Sequence, residues 1–322
     1  MPMNSIFKDG ALIDVHVCGW TGSIMLTPED MGLDDITTAF KLGRKMLIPE
    51  AIIANFKSVE NRARHAADYP NGLQFPIGSA RFLPKNNIQT VINALTECQS
   101  QYESLADNLL EHYDEYKAEM RPIYIDAANK AYEQQLPTGV QEINFEDTNR
   151  QAFVDKFMAR IEAAYPSPQS IRQRFSMDWT LYEIVEPMNE EAAEEWRRQA
   201  RSKIGGFIDD VVGQLRSETV NVCTRVANAI KEGQVVRANS IESLRNFIDK
   251  FKNLNFVGDT KIEDALENLK TEYLDQTKEQ LSEPEMQVQL KRRLIEIAEV
   301  ASDVSDKSTV TGGYRRKIAW EE

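Results

Sequence analysis

The stretch Asn87–Tyr116, NIQTVINALTECQSQYESLADNLLEHYDEY, decides how this chain is read. Within it Ile88, Val91, Leu95, Cys98, Tyr102, Leu105, Leu109, His112 and Tyr116 advance alternately by three and four residues. That alternation sets every member on one side of a helix and repeats with the heptad of helices packed lengthwise. Every core position except His112 is apolar, aromatic or Cys. Burying a Leu or Ile side chain contributes roughly 1.5–3 kcal/mol, so the seam requires a cover. Two covers offer themselves, a helix between residues 190 and 280 or a second copy of the seam. The chain holds another long apolar stripe at high effective concentration, which favours intramolecular closure and a monomeric bundle.

Residues on the N-terminal side have a different texture. Leu12-Ile13-Asp14-Val15-His16-Val17-Cys18 alternates and is rich in β-branched residues, so it reads as a strand. Gly19-Trp20-Thr21-Gly22 follows as a turn, and Phe40–Ile48 is a second, weaker strand. Pro49 then opens a helix through Ile52, Ile53, Phe56 and Val59. Leu73–Gly78 and Arg81–Pro84 read as extended and proline-broken. These pieces make a small α/β cap over residues 1–84.

On the C-terminal side helical spacing dominates. Pro122 marks a kink or an end, and Leu136-Pro137-Thr138-Gly139 marks a break. Phe145, Phe153, Phe157 and Ile161 trace one amphipathic helix; Ile171, Phe175, Trp179 and Tyr182 trace another from Ser170. Asn189 caps a long helix whose first turns carry Glu190, Glu191, Glu194 and Glu195, placed to favour the helix dipole. Its apolar face runs from Trp196 through Ile204, Ile208, Val211 and Leu215 to Ile230. After Glu232-Gly233, the groups Ile241, Leu244, Ile248, Phe251 and Ile262, Leu266, Leu269, Tyr273 resume the pattern. A last helix covers Glu285–Val300. The expected fold is mainly α: a helical bundle or coiled-coil-like stalk over 85–301, with the α/β cap before it and a flexible polar tail over 302–322.

Composition limits the function classes. The chain has 322 residues, 38 Lys+Arg against 51 Asp+Glu, and a formal net charge of −13. That excess argues against broad binding to nucleic acid or anionic membranes. No apolar run reaches the length of a spanning helix. The N-terminus lacks a basic region followed by an apolar one, and Cys18, Cys98 and Cys223 are sparse and unpaired in spacing. Both features point to a cytoplasmic protein with reduced thiols.

Catalytic signatures were sought and none was found. His16, His65 and His112 are far apart and fit no metal motif. Lys203-Ile204-Gly205-Gly206 and Thr311-Gly312-Gly313 are glycine pairs in a helix and in the tail, not phosphate loops. The basic clusters Arg62–His65, Arg197–Lys203, Lys291–Arg293 and Arg315–Lys317 are short and interspersed with acid. The sequence therefore predicts no cofactor and no catalytic residue.

Four short motifs nevertheless stand in a familiar order. Trp20-Thr21-Gly22, Leu42-Gly43-Arg44-Lys45, Phe82-Leu83-Pro84 and Tyr113-Asp114 resemble a prokaryotic and phage family catalogued as domain of unknown function 3150, most clearly over residues 11–125. In that family a strand with a Trp-Ser/Thr-Gly turn precedes a Leu-Gly-Ser/Arg-Lys element. The resemblance carries no catalytic residue. It marks Trp20, Thr21 and Gly22 as a structural turn and Gly43 as a strand edge. Members are often encoded near MoxR-type AAA+ ATPases and von Willebrand A-type proteins, which implies an adaptor engaging a protein partner. A phage structural or host-interaction protein is the alternative; a hydrolase or nuclease whose carboxylates converge on folding is the third.

Overall fold

The computed structural model describes residues 8–27, 43–135, 146–183, 190–230, 238–281 and 283–318. The expectations for Phe40, the 136–139 break, Phe145, the Asn189 cap and Glu232-Gly233 lie outside the described residues. The fold is mainly helical with small antiparallel sheets. Its strands are β1 (Gly10–Cys18), β2 (Ser23–Met25), β3 (Arg44–Met46), β4 (Leu73–Gln74), β5 (Arg81–Pro84) and β6 (Ser176–Tyr182). One sheet has the order β4-β5-β1-β6, and β2-β3 form a separate ribbon. The register sets Leu12 and Leu73 opposite Phe82.

Two compact units share the chain, one from residues 1–14, 65–93 and 180–322, the other from 15–64 and 94–179. Neither unit begins or ends at residue 84. The strands of the proposed cap cannot bury their apolar faces among themselves. Leu12, Leu73, Phe75 and Phe82 instead join a core built by the C-terminal helices.

In the first unit the spine is α6 (Glu190–Ala229), 40 residues long. It packs most extensively on α10 (Pro284–Ser302), then on α7 (Ala238–Leu254) and α11 (Val304–Ile318). Its buried stripe includes Phe207, Ile208, Val211, Leu215, Val222 and Val226, at the three- and four-residue steps of a helix with one covered face. Leu290, Leu294 and Ile297 of α10 belong to the same core. Phe207 touches the rings of Phe75 and Phe82 at centroid distances of 5.0 and 5.5 Å.

The expected flexible tail is a helix. Asp303 Oδ1 accepts from the backbone N–H of Ser305 at 2.9 Å, capping α11. The Ser308 and Thr309 hydroxyls return hydrogen bonds to the carbonyls of Val304 and Ser305. Tyr314 is buried against Phe256, and its hydroxyl donates to Asp9 Oδ2 at 2.8 Å. The Gly312-Gly313 pair assigned to a tail therefore lies within a helix.

The second unit gathers α1 (Glu50–Ala66), most of α2 (Lys85–Glu111), α3 (Tyr113–Gln135), α4 (Glu146–Ala164) and α5 (Pro168–Arg172). α3 continues through Pro122, which sits on its exposed side where water can take the freed carbonyl. Met120, Tyr124 and Ala128 pack against Val154, Met158 and Ile161 of α4. The helix expected to run from Ser170 to Tyr182 stops at Arg172, and Ser176–Tyr182 is the strand β6.

The seam on α2 keeps its heptad only in part. Val91, Leu95, Cys98, Tyr102 and Leu109 are buried, Ile88 is half-buried, but Ala106 and Tyr113 replace Leu105 and His112 as the buried members. From Val91 to Tyr113 the buried steps average about 3.7 residues, nearer the straight helix than the 3.5 of a supercoil. Within its own unit the seam is covered in part by α1: Tyr102 packs edge-on against Phe56 and near Phe175. Its hydroxyl donates to the Cys18 carbonyl at 2.9 Å, and burial pushes its pKa up to about 12.

Candidate functional site

The turn after β1 brings the sequence motifs together. Trp20 is buried, with its ring edge-on to Tyr113 at 6.1 Å, so the Trp-Thr-Gly and Tyr-Asp motifs meet although Trp20 and Tyr113 are 93 residues apart in order. Tyr113 in turn meets Tyr165 edge-on at 6.1 Å, and its hydroxyl donates to the Pro166 carbonyl at 3.0 Å. Burial raises the phenol of Tyr113 to about 12, which keeps it a neutral donor. Lys117 lies over the Tyr113 ring at 4.9 Å.

Gly22 is where the turn needs a glycine. Its φ is +63°, and a Cβ there would sit 2.7 Å from Ile53 Cγ1. Its carbonyl accepts from the Leu47 N–H at 2.7 Å, tying the turn to the end of β3. Gly43 directly precedes β3, and its carbonyl accepts from the Leu26 N–H at 3.0 Å. Sequence reasoning treated these residues as structural and stopped there. The structure adds Arg44 to them. Its Nε donates to Ser23 Oγ at 2.8 Å, and Nη2 donates to Thr21 Oγ1 at 3.1 Å and to the Ser23 carbonyl at 3.0 Å.

A recess of about 230 Å³ opens beside this arginine, lined by Trp20, Thr21, Ser23, Pro166 and Arg174 among others. Arg174 comes from the short link between α5 and β6, 130 residues after Arg44, and no local motif announces it. A second recess, of about 470 Å³, lies between α1 and α2 and is lined by Asn55, Ser58, Ser100, Ser104 and Leu105. Leu105, expected at the centre of a buried seam, is half-buried at the rim of that recess.

The first unit holds a buried ion cluster. Arg216 on α6 is held by Asp259 in a two-pronged contact, and its Nη2 also donates to Asp306 Oδ2 at 2.7 Å. Asn255 completes it, its Oδ1 accepting from the Asp259 N–H at 2.9 Å. Each charged member is paired, which suits a structural lock rather than a reactive centre.

The other charged and thiol candidates have ordinary surroundings. His65 Nδ1 lies 2.8 Å from Asp68 Oδ2, and His112 Nδ1 lies 3.0 Å from the Asn108 carbonyl. Cys98 and Cys223 are buried and free, and burial raises both thiols, Cys223 to about 12. Cys18 is exposed. Among the described residues no group of three His, Cys, Asp or Glu is placed to hold a metal ion. None of their helices is long and apolar enough to cross a membrane.

The outer side of α10 is different in character. Val288 and Ile295, two turns apart on one face, are 57% and 43% exposed, while Leu290, Leu294 and Ile297 are buried on the opposite side. Arg292 and Glu296 flank the pair and bond to each other at 2.9 Å.

No curated protein and no solved structure matches the chain. A family model does, over residues 8–280, from the first described residue to just before α10. That span covers the Trp20 turn, Arg44, Arg174, Arg216 and Asp259, and it extends well past the region where the motifs are clearest. The chain belongs to the family described as Protein of unknown function (DUF3150).

Proposed function

We propose that this chain is a non-catalytic helical adaptor that engages a protein partner through the outer face of α10. The observation that carries the reading is the exposed Val288–Ile295 pair on a helix whose other face is buried mainly against α6. An apolar pair at seven-residue spacing, rimmed by Arg292 and Glu296, is the kind of strip that an amphipathic helix or shallow groove covers. The net charge of −13 disfavours phosphate backbones as the partner. The family resemblance supplies the candidate: a MoxR-type AAA+ ATPase, acting with a von Willebrand A-type protein.

Co-expression with such an ATPase encoded beside this chain tests the reading. A complex on size exclusion that Val288→Asp with Ile295→Asp abolishes, while the variant's melting is unchanged, supports it. Failure of the purified proteins to associate at micromolar concentration, or a complex indifferent to both substitutions, rejects it.

A further inference from the structure

We infer that the recess beside the Trp20 turn binds an oxyanion, a phosphoryl or carboxylate group, between Arg44 and Arg174. The recess lies wholly within one unit and is built from residues whose positions are fixed for other reasons. Trp20 is held by Tyr113, and Tyr113 holds the Pro166 carbonyl, so one wall is rigid. Gly22 ties the floor to Ile53 and to the Leu47 N–H.

Arg44 is laid across this floor by hydroxyl, carbonyl and thioether acceptors: Thr21, Ser23 and Met25 Sδ. A guanidinium has five N–H donors. Those contacts occupy four of the donors and neutralise none of the charge. Among the described residues, no carboxylate lies within ion-pairing distance of Arg44 or of Arg174. This contrasts with Arg64, Arg81, Arg121, Arg172 and Arg216, each paired with an acid. In a chain of net charge −13, two guanidiniums lining one recess with no acid among its described lining residues form a local inversion of sign.

Size narrows the ligand. A volume of about 230 Å³ falls below the roughly 300–1,000 Å³ of sites that enclose whole cofactors. It admits one phosphate, or the end of an acidic side chain, against the remaining N–H and undiminished charge of Arg44 and the guanidinium of Arg174. The Thr21 and Ser23 hydroxyls bond to each other at 3.2 Å and both accept from Arg44, which holds the guanidinium in place. The ligand group has two sources, a small free anion or an acidic residue of a partner. The site requires neither the α10 strip nor the ATPase, so it goes beyond the adaptor reading.

Calorimetric titration of the full chain in low-salt, phosphate-free buffer tests this, with inorganic phosphate and hexaglutamate peptide as separate probes. At least one probe should bind with a dissociation constant of millimolar or below. Arg174→Ala should weaken it roughly tenfold or more, the scale of one lost charge-assisted hydrogen bond. Arg174→Glu should remove binding. Arg174 is exposed and has no side-chain partner among the described residues, so both variants should fold as the parent does. Tighter binding of phosphate assigns the site to a free anion, and tighter binding of hexaglutamate assigns it to a partner's acidic segment. If neither probe binds, or if Arg174→Glu binds as well as the parent, the inference is wrong. Because the phosphate arm involves no protein partner, its result is independent of whether the adaptor reading stands.

Discussion

Arg216 and Asp259 form a two-pronged ion pair, Nε to Oδ2 at 2.6 Å and Nη2 to Oδ1 at 3.0 Å, with side chains only 2% and 3% exposed. The arginine is on α6 and the aspartate directly precedes α8 (Thr260–Leu269), so one contact fixes the spine against the helices after it. Arg216→Ala leaves Asp259 buried without its counter-charge. Breaking such a pair costs about 3–5 kcal/mol. Urea unfolding should show a midpoint shift of that order, whereas Lys130→Ala, which removes an exposed pair with Asp126, should barely register.

The third member of the cluster sets a pH dependence. Hydrogen bonding from Arg216 lowers the pKa of Asp306 below its usual 3.8, partly opposed by burial and helped by Lys261. A depressed carboxylate contributes stability that is present above the unfolded value and is lost as pH falls through the folded one. In that acid window the unfolded chain binds more protons, so stability rises with pH. Asp306→Asn should flatten the stability curve below pH of about 4, measured by thermal melting across acid buffers.

Gly22→Ala places a methyl where Ile53 already stands and forces an L side chain into positive φ. The conformational penalty alone is about 1 kcal/mol or more, and the clash adds to it. A lowered melting temperature is expected. Gly206→Ala, in a helix with open space around the added methyl, should be neutral or stabilising.

The two readings of the α2 seam make opposite forecasts. A strict heptad makes Leu105 and Leu109 equivalent core positions. The observed helix buries Leu109 completely and leaves Leu105 at a rim. Leu109→Ala should therefore cost about 2–5 kcal/mol, as cavity-forming substitutions do, and Leu105→Ala clearly less. Equal losses on denaturant unfolding would restore the heptad.

Much of the fold was legible locally. The alternation of Leu12–Cys18 announced β1, and Ile241, Leu244, Ile248 and Phe251 announced the buried face of α7. β6 was missed because Phe175, Trp179 and Tyr182 step by four and three, which also fits a helix, while only Met177 of the strand is buried. α11 was missed because Ser, Thr and Gly are poor helix formers. Its formation follows from docking Tyr314 and from the Asp303 cap, neither of which residue spacing announces. The seam was legible but its partner was not, since heptad spacing names no neighbour. Arg44 and Arg174 meet only through the fold.

The interleaving of the two units bears on how the protein is made. Asp9 and Tyr314, 305 residues apart, share a hydrogen bond, and Leu12 shares a core with Leu290 and Ile297. As the chain leaves the ribosome, its first strand therefore emerges long before the helices that cover it exist. Residues 15–179 contain all of the second unit, apart from a short excursion at 65–93, and can condense during synthesis. The first unit closes only after α10 and α11 have been made. Such late, long-range closure is slow and leaves apolar strand surface exposed in the interval. A nascent chain halted near residue 280 should hold a folded second unit and an unfinished first one.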